Sequence, residues 1–95
     1  MNKYETVIII QPDTEETRIE EILEVIKDKI LADEGKVTNI EKLGLKKLAY
    51  EINKNKQGYY IVIQFESEQS TTAEIERIFR ITEEVMRFIV VKRDE

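Results

Sequence analysis

Apolar and β-branched residues dominate from Lys3 to Gln11, where the chain reads KYETVIIIQ. Tyr4, Thr6, Ile8 and Ile10 share one parity and Val7 and Ile9 the other, so both faces of the predicted strand are apolar. That pattern suits a central strand. Pro12-Asp13-Thr14 stops it, and Asp13 with Glu16 three residues on reads as a capping box. Ile19, Ile22, Leu23, Ile26 and Ile30 then recur at helical spacing, with Glu20, Glu21, Glu24 and Asp28 on the other sides. The spacing predicts a helix over 14–34, closed by Gly35.

Residues 36–52 regain strand character, but Val37 and Leu43 have one parity and Leu48, Tyr50 and Ile52 the other. A parity switch needs an extra residue, and Gly44 is the natural site for a bulge. Asn53 to Gly58 reads as a hairpin turn, with Gly58 supplying a positive φ. A strand over 59–66 follows, Tyr59, Ile61, Ile63 and Phe65 on one face and Tyr60 and Val62 on the other. Thr71 or Thr72 is placed to cap a short helix carrying Ile75, Ile78 and Phe79, and residues 85–92 form a last strand before a frayed Asp94-Glu95 end. Strand, helix, strand, strand, helix, strand, joined by right-handed crossovers, gives an α+β fold. It is a ferredoxin-like βαββαβ sandwich, a four-stranded antiparallel sheet with both helices on one face. The 95 residues make one domain. Many unrelated functions share this architecture, so fold alone assigns none.

Composition removes most catalytic designs. With no Cys and no His there is no disulfide, thiolate nucleophile, imidazole base or nitrogen-sulfur zinc site. The three glycines, Gly35, Gly44 and Gly58, are too far apart for a phosphate-cradling loop. No metal, cofactor or catalytic residue is indicated. An acyl-phosphatase-like enzyme would need an Arg in the loop after the first strand, and that loop is Gln11-Pro12-Asp13-Thr14. The first apolar run, Val7–Ile10, is too short for a signal core or a membrane span, so a cytoplasmic protein is expected.

Charge is distributed unevenly. The chain is −5 overall, but residues 1–41 carry 5 basic and 11 acidic groups while residues 42–66 carry 5 basic and 2 acidic. The basic segment holds Lys46, Lys47, Lys54 and Lys56 among Leu48, Tyr50, Tyr59 and Tyr60. Ammonium groups neutralise phosphates and tyrosines stack on bases, which suits RNA; lysines also guard an edge strand against aggregation. A second basic group comprises Lys3, beside Tyr4, with Arg80, Arg87 and Lys92, although an aromatic of a half-buried strand such as Tyr4 more often packs in the core. The acidic face Glu16, Glu20, Glu24 and Asp28 is either a docking face for a basic protein or simply solvated.

The run Leu43-Gly44-Leu45-Lys46-Lys47-Leu48-Ala49-Tyr50-Glu51-Ile52, followed by Lys54 and Gly58-Tyr59, resembles the bacterial ribosomal small-subunit protein S-six family. Tyr4-Glu5 and Arg87-Phe88-Ile89-Val90-Val91-Lys92 match in order and spacing, so the resemblance spans nearly the whole chain. It implies a non-catalytic ribosomal component that binds small-subunit ribosomal RNA in the central (platform) domain as a heterodimer with ribosomal protein S-eighteen. The implied RNA contacts are Lys46-Lys47, Lys3-Tyr4, Arg87 and Lys92; Lys54, Lys56 and Arg80 extend them, and Leu48, Tyr50, Tyr59 and Tyr60 are candidates for the protein partner. Many members carry Arg-Arg where this chain has Lys46-Lys47, which removes bidentate recognition but keeps the charge. A ferredoxin-like small-ligand or dimerisation module is the alternative from another functional class.

Overall fold

A computed structural model describes residues 1–52 and 54–93. The element order is β1 (Asn2–Ile10), α1 (Glu16–Ala32), β2 (Lys36–Ile52), β3 (Asn55–Ser67), α2 (Gln69–Ile81) and β4 (Val85–Arg93). The strands form one antiparallel sheet in the order β2-β3-β1-β4. The expected ferredoxin-like sandwich is what the chain adopts, with β2 and β4 at the edges. The expected frayed end, Asp94-Glu95, lies outside the described residues, as does Asn53 of the expected turn.

One parity of the central strands builds the core. Tyr4, Ile8 and Ile10 of β1 and Ile61, Ile63 and Phe65 of β3 are buried with Ile19, Ile22, Leu23, Ile26 and Ile30 of α1 and Ile75 and Phe79 of α2. Both helices therefore cover the same sheet face. Thr6, buried in that layer, donates its hydroxyl to the Ile89 carbonyl at 2.7 Å, which satisfies it across the β1–β4 seam.

Several local signals resolve differently from expectation. Neither expected cap is used. The N-cap of α1 is Glu15, with no side-chain cap, because Gln11 to Thr14 first close a turn through the Thr14 N–H and the Gln11 carbonyl at 3.1 Å. α2 starts after Glu68, so Thr71 lies inside the helix, where its hydroxyl donates to Asp33 Oδ2 at 2.9 Å and ties α2 to the end of α1. Thr72 donates back to the Gln69 carbonyl instead of capping. The extra residue expected at Gly44 is present: the β2–β3 register shifts between Lys42 and Gly44, and Gly44 has φ +84°. Further irregularities lie between Val37 and Asn39 and between Lys47 and Ile52; the first lets Val37 and Ile40, three apart, both pack on the helix side.

Positive φ does not fall on the other two glycines. α1 ends in a Schellman motif: the Gly35 N–H donates to the Ile30 carbonyl at 2.8 Å and the Glu34 N–H to the Leu31 carbonyl at 3.0 Å. The left-handed residue is Glu34, φ +66°. Gly35 is needed for a different reason. A Cβ there would run into the Glu66 carbonyl oxygen, with Ile30 atoms at 3.0 and 3.1 Å. Because a side chain in the left-handed region is strained, Glu34→Gly should stabilise the fold by about 0.5–1 kcal/mol, seen as a rise in Tm. An unchanged or lowered Tm would mean that the motif holds Glu34 without strain.

An ion pair ties the start of α1 to the connector between α2 and β4. Arg18 donates through Nε to Glu84 Oε2 and through Nη2 to Glu84 Oε1, both at 3.1 Å. These hydrogen bonds hold the Glu84 carboxyl below the ordinary carboxylate range, and the backbone adds to the effect. A carboxyl lowered in the folded state contributes full stability above its unfolded pKa and loses it as the pH falls through the lowered folded value. Arg18 is well solvated, so the pair is screened and contributes about 0.5–1 kcal/mol at neutral pH. Glu84→Gln should cost that much at pH 7 and nothing in strong acid, which paired denaturant melts would show. A penalty independent of pH would contradict the assignment to charge.

Candidate nucleic-acid interface

β1 reaches only as far as Ile10, opposite Tyr59 of β3, whereas the β2–β3 ladder continues through Lys46 opposite Gly58 and Lys47 opposite Gln57 to Ile52 opposite Asn55. The hairpin therefore overhangs the central strands as a two-stranded arm. By register Lys46 shares the helix-free side with Tyr60, and Lys47 lies on the helix side. Lys54 is the turn residue at φ +67°, and Lys56 follows it. Thus the positive φ expected of Gly58 belongs to Lys54. All four lysines are exposed, and among the described residues no acid pairs with any of them. Lys42, the fifth basic residue of the segment, is committed elsewhere. Its Nζ bonds Glu20 and meets Glu16 Oε1 at 3.1 Å, and those bonds raise its pKa. Half of the acidic α1 face is thereby engaged within the fold.

The base of the arm is apolar on the helix-free side. Ile9, Leu48, Tyr50, Ile52, Tyr60 and Arg87 line a shallow cavity of about 150 Å³. Gly58 makes this closure possible: a Cβ there would strike Ile9 Cγ2, with Leu48 Cδ2 3.5 Å away. The apolar surface continues across the sheet. Val7 stands between Val62 and Ile89, and Ile89 and Val91 are 58% and 45% exposed. Helices cover only the other face, so this surface has no cover among the described residues. Of the residues expected to meet a protein partner, Leu48, Tyr50 and Tyr60 are brought together here. Tyr59 is not; it has the opposite parity and packs against the helix-side core.

The second expected basic group does not converge. Tyr4 is a core residue, 6% exposed, its ring stacked on Phe65 at 5.6 Å and its hydroxyl accepting from Asn2 Nδ2. No base can stack on a ring packed in this way. Arg87 lies opposite Ile9 at the arm end of the sheet, but Lys92 lies opposite Tyr4 and Lys3 opposite Arg93 at the far end. Five residues of strand separate Arg87 from Lys92, roughly 17 Å. Arg80 sits on the helix side, its guanidinium 5.7 Å from the Phe88 ring centroid. Arg87 thus shares a cavity with Leu48, Tyr50 and Ile52 at the base of the lysine arm, whereas Lys3 and Lys92 lie at the far end on opposite sides of the sheet. The sequence-based selection missed Val7, Ile9, Ile89 and Val91. Their signal was present in the second apolar parity of β1, which marks a sheet face that needs covering.

No helix among the described residues is long and apolar enough to cross a membrane. The chain matches the family model described as Ribosomal protein S6 over residues 3–92. The small ribosomal subunit protein bS6 of Thermoanaerobacter pseudethanolicus is 37% identical over 95 residues, covering 100% of both chains. The bS6 of Helicobacter hepaticus is 44% identical over 92 residues, covering 97% of this chain and 67% of its own. The crystal structure of 30S ribosomal protein S6 from Thermotoga maritima superposes with a TM-score of 0.88 at 34% identity, over 97% of this chain and 87% of that one. With matches of this extent in both sequence and structure, the chain belongs to the ribosomal protein S6 family, structural and non-enzymatic constituents of the small ribosomal subunit.

Proposed function

We propose that this protein, working on the ribosome in the cytoplasm, binds small-subunit ribosomal RNA of the central (platform) domain as a heterodimer with ribosomal protein S-eighteen. The observation that carries this is the adjacency of two chemically different surfaces. A lysine arm that meets no acid among the described residues stands beside an apolar sheet face that none of them covers. Phosphates suit the first, because ammonium groups release the counterions condensed on RNA. A protein suits the second, because an apolar face of this kind is an association surface. The net charge of −5 then needs no special account, since a basic partner supplies part of the neutralisation.

The test is binding to a central-domain RNA fragment at two salt concentrations, with and without the partner. Tight, salt-sensitive binding is expected only for the pair. Ile89→Asp, an exposed change on the apolar face, should cancel the partner's contribution, about tenfold or more in affinity, while leaving the fold intact. Equal binding by the chain alone would overturn the dependence on a partner, and no binding by either would overturn the RNA role.

A further inference from the structure

A further cleft lies beside β4 and shares Arg87 with the cavity at the base of the arm. At the start of β4 the β1 register jumps: Ile9 pairs with Arg87 and Ile10 with Val85, so Met86 is an extra residue. Bulges of this kind re-aim side chains. At this edge of the sheet the consecutive residues Val85, Met86, Arg87 and Phe88 line a cleft of about 360 Å³ with Phe79 and Arg80. The floor is fixed. Phe88 packs on Phe79 with centroids 5.2 Å apart, and the connector from α2 is pinned by the Thr82 hydroxyl on the Ile78 carbonyl at 2.6 Å and the Val85 N–H on the Thr82 carbonyl at 3.1 Å. Two guanidiniums flank it and, among the described residues, no carboxylate lines it. Arg80 lies over Phe88, and among the described residues it meets Glu76 Oε1 at 3.6 Å, longer than a hydrogen bond. Arg87 is exposed and meets no acid among the described residues.

We propose that this cleft holds a single unstacked nucleobase of the bound RNA, stacked on the Arg80 guanidinium and the Met86 side chain, with the adjoining phosphate on Arg87. A flat, anionic aromatic ligand matches each part of the lining. The planar guanidinium offers a stacking face that is held in place by Phe88, Met86 supplies polarizable contact, and Arg87 is a free cation at the rim. An apolar side chain from a protein would leave both guanidiniums unused. The assignment rests on the RNA-binding reading above and names one nucleotide contact within it.

The test is NMR titration of the protein with adenosine 5′-monophosphate and, separately, with inorganic phosphate. The mononucleotide should shift the amide signals of Phe79, Arg80, Met86, Arg87 and Phe88, with upfield displacement of Met86 methyl protons by the base ring. Phosphate should move only signals near Arg87. Arg80→Lys keeps the charge and removes the plane, so it should weaken mononucleotide binding about tenfold. Identical shifts with phosphate, undiminished binding by Arg80→Lys, or shifts confined to Tyr50 and Tyr60 would each overturn the proposal. Because the RNA role is read separately from the central-domain fragment and the arm lysines, a silent cleft with intact fragment binding would remove this inference alone.

Discussion

Phe65→Ala should lower the unfolding free energy by about 3–5 kcal/mol. Phe65 is 1% exposed on β3, one of the two central strands. Its ring stacks on Tyr4 at 5.6 Å and its register partners are Tyr4 on one side and Val37 on the other. Truncation opens a cavity beneath both helices, which the close-packed isoleucines around it cannot fill without leaving their rotamers. For a 95-residue domain with about 5–15 kcal/mol in total, this is a large fraction. The matched control is Leu31→Ala, a similar truncation at a position 69% exposed, which should change stability by no more than about 0.5 kcal/mol. Denaturant melts of both variants check the pair. A loss under about 1 kcal/mol for Phe65→Ala would mean that the helix-side layer is not the packed core described here.

The double change Lys46→Glu with Lys47→Glu should weaken binding of the heterodimer to central-domain RNA by about 10- to 100-fold near 0.1 M salt. The two side chains lie on opposite sides of an overhanging strand, both exposed and neither paired with an acid among the described residues. Removing two phosphate contacts should also flatten the slope of log affinity against log salt by about 1.4–1.8. Stability should hold within about 0.5 kcal/mol, because no ion pair among the described residues depends on either charge. The salt series separates this from a folding defect, which would lower the fraction of active protein and leave the slope as it was. An unchanged slope with unchanged affinity would show that RNA passes the arm by, leaving these lysines as guards of an exposed edge.

The architecture was legible because its signals are periodic. Alternation in β1 and β3, the helical stripe from Ile19 to Ile30 and the parity break at Gly44 all follow from repeat geometry, and each is found where the pattern places it. Signals that concern a single residue fared less well, since several partners compete for it. Asp13 and Thr71 both have cap chemistry, yet a turn at Gln11–Thr14 displaced the first cap and a bond to Asp33 captured the second. Gly58 suggested positive φ and Gly35 the helix end, but the left-handed conformation fell on Lys54 and Glu34, and the glycines admit the Ile9 methyl and the Glu66 carbonyl. A missing Cβ has two uses, and only the neighbours across space show which one applies.

The candidate site divides along the same line. That Lys46, Lys47, Lys54 and Lys56 make a basic hairpin follows from the order of residues alone, because a hairpin joins what is adjacent in the chain. Local order also determined the α+β class, the helix-facing parity of the central strands and the absence of thiol and imidazole chemistry. The rest needed pairing between distant strands. Strand order and register bring Arg87 beside the arm and carry Lys3 and Lys92 to the far end, bury Tyr4 under Phe65, and give Lys42 to an acidic helix 22 residues away in the chain. They also leave one apolar sheet face bare. Sequence fixes which side chains alternate and what charge they bear, whereas contacts between elements are chosen by how the whole core packs, and that choice decides which charges remain free to meet a partner.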